Sequence, residues 1–202
     1  MISLTHSRAV LAGLALGMAS LVAQATSTAE EMIRSTVSGL ISELNERRLE
    51  LESDEAALYA MVDKLVVPHI ALGKVSKLIL GSHWKSASEA QRQDFTVGFK
   101  DLLIQGYATA MFEYTGELRY GPPKLKGRIT VVPTDLVRPG EPPVPVDYYC
   151  LRDKSNTWKI YDIQIDGISL ILSYRNQYGQ YIDTNGLDAL IESLQSKTAE
   201  FK

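Results

Sequence analysis

Few side chains in this chain belong to types that do chemistry, and their spacing suits it poorly. Among its 202 residues are three histidines and one cysteine. His69 and His83 have no Cys, Asp or Glu at the separations a bound metal needs. His69 follows Pro68, where a helix ends, and His83 stands beside Trp84. Both read as structural, so no metal or other cofactor is expected. Asp147, Asp162 and Asp166 fall on segments that read as neighbouring strands. Paired carboxylates can do acid–base work when burial drives their pKa values apart. Here they alternate with apolar residues, which turns them toward solvent or toward Arg152, Lys159 or Arg175. No Gly-rich phosphate loop and no G-x-S-x-G elbow is present. A lone cysteine makes no internal disulfide, and the alternation around Cys150 reads as burying it. Ten tyrosines remain. Several, among them Tyr148, Tyr149, Tyr161 and Tyr174, fall near predicted strands. A tyrosine ring with a polar tip suits a cavity mouth as well as a core.

The elements that would position these groups follow from periodicity. Met32, Ile33, Val37, Leu40, Ile41 and Leu44 recur at helical spacing, predicting a helix over 29–48. A second begins near Ser53 or Asp54 and stops at Pro68. A third segment covers 69–80 and closes at Gly81. Ser88-Glu89-Ala90-Gln91 has the form of a capping box, opening a long helix whose stripe runs Phe95, Phe99, Leu102, Leu103, Gly106, Tyr107, Ala110, Met111. Its small residues, Gly98, Gly106, Ala108 and Ala110, leave room for close approach by a helix or a ligand.

After Gly116 the period becomes two. Leu118 and Tyr120 mark a first strand, 128–137 a second with Pro133 at a bulge or edge, 144–152 a third, and 157–165 a fourth. On the third, Val144, Val146, Tyr148 and Cys150 share a face; on the fourth, Tyr161, Ile163 and Ile165 do. Residues 168–173 fit either strand or helix. A short helix over 174–182 and a closing one carrying Leu187, Leu190, Ile191, Leu194 and Phe201 complete the chain. Helices, then a meander, then helices predict an α+β domain: N-terminal helices packed on a curved four-stranded antiparallel sheet and closed by C-terminal helices.

The start of the chain reads differently. Arg8 precedes an apolar run from Ala9 to Val22, and Ala23-Gln24-Ala25 is the small-x-small pattern before a cleavage site. The run is short for a membrane span. Residues 1–25 are therefore expected to be a cleavable export signal, and 26–202 a single domain. The net charge is −3. A weakly acidic domain has no general pull on nucleic acid or anionic lipid, so no nucleic-acid partner is expected. Any lipid role is expected to rest on apolar burial.

Several blocks resemble one family. They are Leu80-Gly81-Ser82-His83-Trp84-Lys85-Ser86-Ala87-Ser88, Gln91-Arg92, Asp94-Phe95 with Phe99 and Leu102-Leu103, Tyr107, Tyr114-Thr115-Gly116, Trp158-Lys159-Ile160-Tyr161-Asp162, Gly167-Ile168-Ser169, Tyr174-Arg175 and Gly186-Leu187-Asp188-Ala189-Leu190. Their order and spacing are similar to those of the MlaC family of periplasmic phospholipid-binding proteins, known also as toluene-tolerance proteins or ABC-transporter auxiliary components. The resemblance covers about residues 29–197. It departs at Cys150 and His69, where that family often has aromatic residues. It implies a helical layer over a curved antiparallel sheet with an internal apolar cavity. It also implies a monomeric periplasmic shuttle carrying phospholipid between an outer-membrane lipoprotein complex and an inner-membrane ABC transporter, and so maintaining outer-membrane lipid asymmetry.

The predicted stripes nominate lining residues for such a cavity: Val75, Leu78, Phe99, Leu103, Tyr107 and Met111 from helices, and Val131, Val146, Tyr148, Ile163, Ile165 and Ile168 from the sheet and its end. Tyr174, Arg175 and Lys74 are candidates for the mouth. Two other readings stay open: an enzyme using Asp162 or Asp147 as base, and a ligand-free interaction protein whose apolar surface closes on itself.

Overall fold

A computed structural model describes residues 28–108, 112 and 117–199. The expected signal segment, Met111, Gly116 and Phe201 lie outside the described residues.

The first helix, α1 (Ala29–Glu46), starts where its capping box dictates. The Thr28 hydroxyl accepts from the Glu31 N–H at 3.1 Å, and Glu31 Oε2 accepts from the Thr28 N–H at 2.7 Å. A break at Arg47 makes a separate short helix, α2 (Arg48–Ser53), which lies almost wholly in the gap between the first two predicted helices. Asp54 then caps α3 (Glu55–Leu65). Pro68 falls in a single 3-10 turn, Val67–His69, that leads to α4 (Leu72–Leu80). Gly81 ends α4 at φ 55°, a conformation that favours glycine, with the Arg175 side chain packed against it. A short α5 (His83–Ser86) precedes α6 (Glu89–Ala108), whose capping box forms through Ser88 and Gln91 as expected.

The antiparallel sheet has six strands, not four. They are β1 (Glu117–Tyr120), β2 (Lys124–Lys126), β3 (Ile129–Val137), β4 (Val144–Arg152), β5 (Trp158–Ile165) and β6 (Ile168–Ser169). The two extra strands, β2 and β6, have three and two residues, too few to show alternation. Both β1 and β2 pair with β3, on either side of the Gly121-Pro122-Pro123 break. Pro133, inside β3, faces that break, and its carbonyl accepts from the Gly121 N–H at 2.9 Å. Its missing donor is thus placed where the ladder is already interrupted.

The β4–β5 pairing slips between Tyr149 and Cys150: Tyr149 faces Asp162 but Cys150 faces Ile160, leaving Tyr161 without a partner. This bulge corrects the expected face of β5. Ile160, not Tyr161, pairs with Cys150 on the α1 side.

Two helices close the chain. The segment 168–173 resolves as the end of the sheet and the start of α7 (Leu170–Asn185), capped by the Ser169 hydroxyl; α7 is followed by α8 (Leu187–Ala199). The largest core cluster joins α4, α6, α7 and α8 through Ile79, Leu80, Phe95, Phe99, Tyr178 and Leu194. A second joins α1, α2, α3 and α6. The third packs Ala29, Met32 and Ile33 of α1 on Val132, Cys150 and Ile160 of the sheet. Arg34 lies 3.6 Å from the Tyr120 ring centroid and ties α1 to β1 as well.

Candidate functional site

Between α1, the sheet and the α4–α6–α7 cluster lies an apolar pocket of about 260 Å³. One wall is the α1 face Ile33, Thr36, Val37 and Leu40, at i, i+3, i+4 and i+7. The sheet supplies Tyr148 from β4 and the run Ile160–Ile163 from β5. Val66 and Ile70 lie beside Val75 and Ile79 of α4, and Phe99 and Leu103 of α6 complete that side. Leu170, Ile171 and Tyr174 of α7 close it.

The polar groups of the wall are largely engaged. The Thr36 hydroxyl donates to the Met32 carbonyl at 2.8 Å. Asp162 accepts three bonds: from the N–H of Ile163 at 2.9 Å, from the N–H of Ile171 at 3.2 Å and from the Ser169 hydroxyl at 2.6 Å. Its carboxylate therefore fixes the first turn of α7, where a negative charge is favourable. It neither faces solvent nor pairs with a basic side chain, as alternation had suggested. Burial pushes the Tyr174 phenol well above its ordinary range, and a hydrogen bond with Tyr107 adds to this. Burial likewise holds Tyr178 at about 12. These phenols stay neutral at physiological pH, and the described residues that line the pocket include no cation and no unengaged carboxylate. Its chemistry is that of apolar contact.

Of the nominated residues, Val75, Phe99, Leu103, Tyr148 and Ile163 line this pocket. Leu78 packs on the α4–α6–α7–α8 core outside it. Tyr107 is more than a third exposed and reaches the pocket through Tyr174. Val131 pairs with Tyr149, whereas its neighbour Val132 pairs with the lining residue Tyr148, so Val131 is buried on the opposite face of the sheet. Val146 is buried but lies beyond the lining, and Ile165 and Ile168 are exposed at the β5–β6 turn. Of the mouth candidates, Tyr174 is in the wall, Arg175 lies against Gly81, and the Lys74 ammonium stands 5.2 Å over the Tyr161 ring. The α1 wall was not nominated, although its stripe of Ile33, Val37 and Leu40 is plain in the sequence.

Among the described residues, no group of three His, Cys, Asp or Glu could hold a metal. His83 Nε2 lies 3.4 Å from Asp183. His69 has its pKa lowered by burial and by the nearby Lys159 ammonium. Asp147 pairs with Pro133 and Gln164 on the sheet face away from the pocket, and Asp166 is in an exposed turn at φ 50°.

The sequence profile described as "MlaC protein" matches residues 34–196. The chain belongs to the MlaC family. Among its relatives is the intermembrane phospholipid transport system binding protein MlaC of Haemophilus influenzae, 25% identical over 171 residues, with 80% of this chain and 78% of the relative covered. The toluene tolerance protein ttg2D of Pseudomonas putida is 25% identical over 187 residues, covering 90% and 86%. A similar solved structure is that of a phospholipid-binding protein from Ralstonia solanacearum in complex with a phospholipid. It superposes with a TM-score of 0.78 at 26% identity over 86% of this chain and 98% of that one. Among the described residues, no helix is long and apolar enough to cross a membrane.

Proposed function

We propose that this MlaC-family protein is a phospholipid carrier that holds acyl chain in the pocket between α1, the sheet and α7. The supporting observation is the wall itself: aliphatic and aromatic side chains throughout, with Thr36 and Asp162 already committed to the backbone. Moving a two-chain lipid with roughly thirty methylenes through water costs on the order of 20 kcal/mol at ~0.8 kcal/mol per methylene. A carrier must replace most of that environment, and a wall free of competing polar groups does so. The described lining holds no cation, which suits release because no strong ion pair has to be broken. The bound phospholipid of the Ralstonia relative and the transport-system name of the Haemophilus relative favour the same reading.

In this reading residues 1–25 are removed on export and the monomeric domain shuttles lipid across the periplasm between an outer-membrane lipoprotein complex and an inner-membrane ABC transporter. Mass spectrometry of organic extracts of the purified mature protein tests the core of it. Phospholipid in about stoichiometric amount is expected. A protein that is empty and also takes up none from vesicles refutes the reading.

A further inference from the structure

The net charge of −3 is unevenly spread. The β2–β3 and β4–β5 turns lie at one end of the sheet, because Lys126 pairs with Ile129, Ile129 with Leu151, and Leu151 with Lys159. Over residues 124–130 and 150–160 these turns carry Lys124, Lys126, Arg128, Arg152, Lys154 and Lys159, against Asp153 alone. Asp153 is already engaged. Its Oδ1 accepts from the N–H groups of Ser155 and Thr157, and its Oδ2 lies 3.9 Å from Lys159.

Lys124, Lys126 and Arg128 have no carboxylate partner among the described residues, and all of 124–128 is exposed. Lys126 instead stands 5.9 Å over the Tyr149 ring. Tyr149 meets Tyr161 edge-on at 6.3 Å, and Lys74 lies over Tyr161. Arg152 stacks on Trp158 at 4.4 Å. Leu125, between two lysines, is 77% exposed. Cations flanking an exposed leucine, backed by tyrosine and tryptophan rings, suit the head-group layer of an anionic bilayer: the cations meet phosphates and the leucine enters the acyl boundary.

We propose that this basic end of the sheet docks the protein on an anionic lipid surface, with Lys124, Leu125, Lys126 and Arg128 leading. The lining residues Ile160 and Tyr161 directly follow Lys159 in β5, so this basic end adjoins the pocket wall. The surface stands whether or not the pocket is a lipid site.

The test is co-sedimentation of the mature protein with phosphatidylcholine vesicles, with and without phosphatidylglycerol, at low and high salt. Binding is expected only with phosphatidylglycerol and is expected to fall with salt. One surface cation is worth about fivefold, so K124Q/K126Q/R128Q is expected to bind roughly a hundredfold more weakly. L125N, at a position too exposed to affect folding, is expected to lose a few-fold. Binding indifferent to phosphatidylglycerol, or unchanged in the triple variant, overturns the proposal. So does charge-dependent binding to polyglutamate without binding to vesicles, which would make this surface a protein-docking site. Phospholipid content is measured on the same samples. Lipid-loaded protein that ignores anionic vesicles refutes the docking surface alone. Protein that is empty, binds them by charge and still takes up no lipid from them refutes the carrier reading alone.

Discussion

Asp162 is the carboxylate in the pocket wall, and replacing it separates a structural role from a chemical one. Three donors converge on it: the Ile163 and Ile171 N–H groups and the Ser169 hydroxyl. Ser169 in turn caps α7 through the Leu172 N–H at 3.1 Å. Asp162→Ala leaves all three donors without their acceptor beside an apolar wall. Each bond to a charged group contributes about 1.5–3 kcal/mol, and because the three share one carboxylate they do not add; about 3 kcal/mol is the expected loss. Asp162→Asn keeps one carbonyl oxygen for the N–H groups but turns an amide donor toward Ser169 and removes a charge from a helix start. About 1–2 kcal/mol is expected there. For a domain of this size those losses lower Tm by about 6–12 °C and about 2–8 °C respectively. Urea unfolding followed by circular dichroism gives the free energies, and lipid content measured well below Tm gives the function. The structural account requires stability to fall in the order wild type, Asn, Ala while the Asn variant still holds lipid. An Asn variant of wild-type stability that has lost its function would refute it and return Asp162 to the role of a reacting or ligand-binding group.

Phe95 and Phe99 stack at 5.8 Å and are both almost fully buried, but only Phe99 reaches the pocket. Alanine at either position is expected to cost about 3–5 kcal/mol, while only Phe99→Ala changes lipid content per folded molecule; equal effects on lipid would disprove the assignment. Gly106→Ala is expected to stabilise by up to about 1 kcal/mol, because a Cβ there meets nothing within 4 Å. Gly98→Ala is expected to gain less or to lose stability, since its Cβ would lie 3.1 Å from Leu194, and denaturant midpoints of the two variants decide the order. Burial pushes the Cys150 thiol up to about 12, so at pH 8 the folded protein carries almost no thiolate. Maleimide labelling at pH 8 is expected only after unfolding, and fast labelling of the native protein would contradict the burial.

Local signals written over a few residues were legible in the sequence. The Ser88–Gln91 capping box, the helix start near Ser53 or Asp54 and the Gly81 stop all follow from backbone groups that need a partner or a left-handed conformation. Four strands long enough to alternate were also legible. What failed was the short and the interrupted. β2 and β6 form because β3 and β5 present edges to them, not because their residues demand a strand. The break at Arg47 falls inside the predicted helix of 29–48, and α2 beyond it was not read.

The pocket was less legible because alternation defines two faces without saying which is inside. Val131 and Tyr148 belong to the same pattern of apolar strand positions, yet pairing puts Val131 level with Tyr149 and so behind the sheet. One unpaired residue, Tyr161, then shifts the β5 pattern, so Ile160 and Ile163 share the inner face although their numbers differ by an odd step. No count along β5 alone reveals this; it depends on where β4 sits beside it. The α1 wall has the same cause. Ile33 is a core residue on Val132 and Cys150 and also a lining residue, because the third core cluster ends where the pocket begins. A stripe on α1 predicts burial, but whether it is buried against side chains or beside a space is decided by α4, α6 and α7, which the chain supplies from both sides of the sheet in sequence. A site assembled from one to four residues of each of many elements carries no motif of its own, so the type of wall could be read in advance and its membership could not.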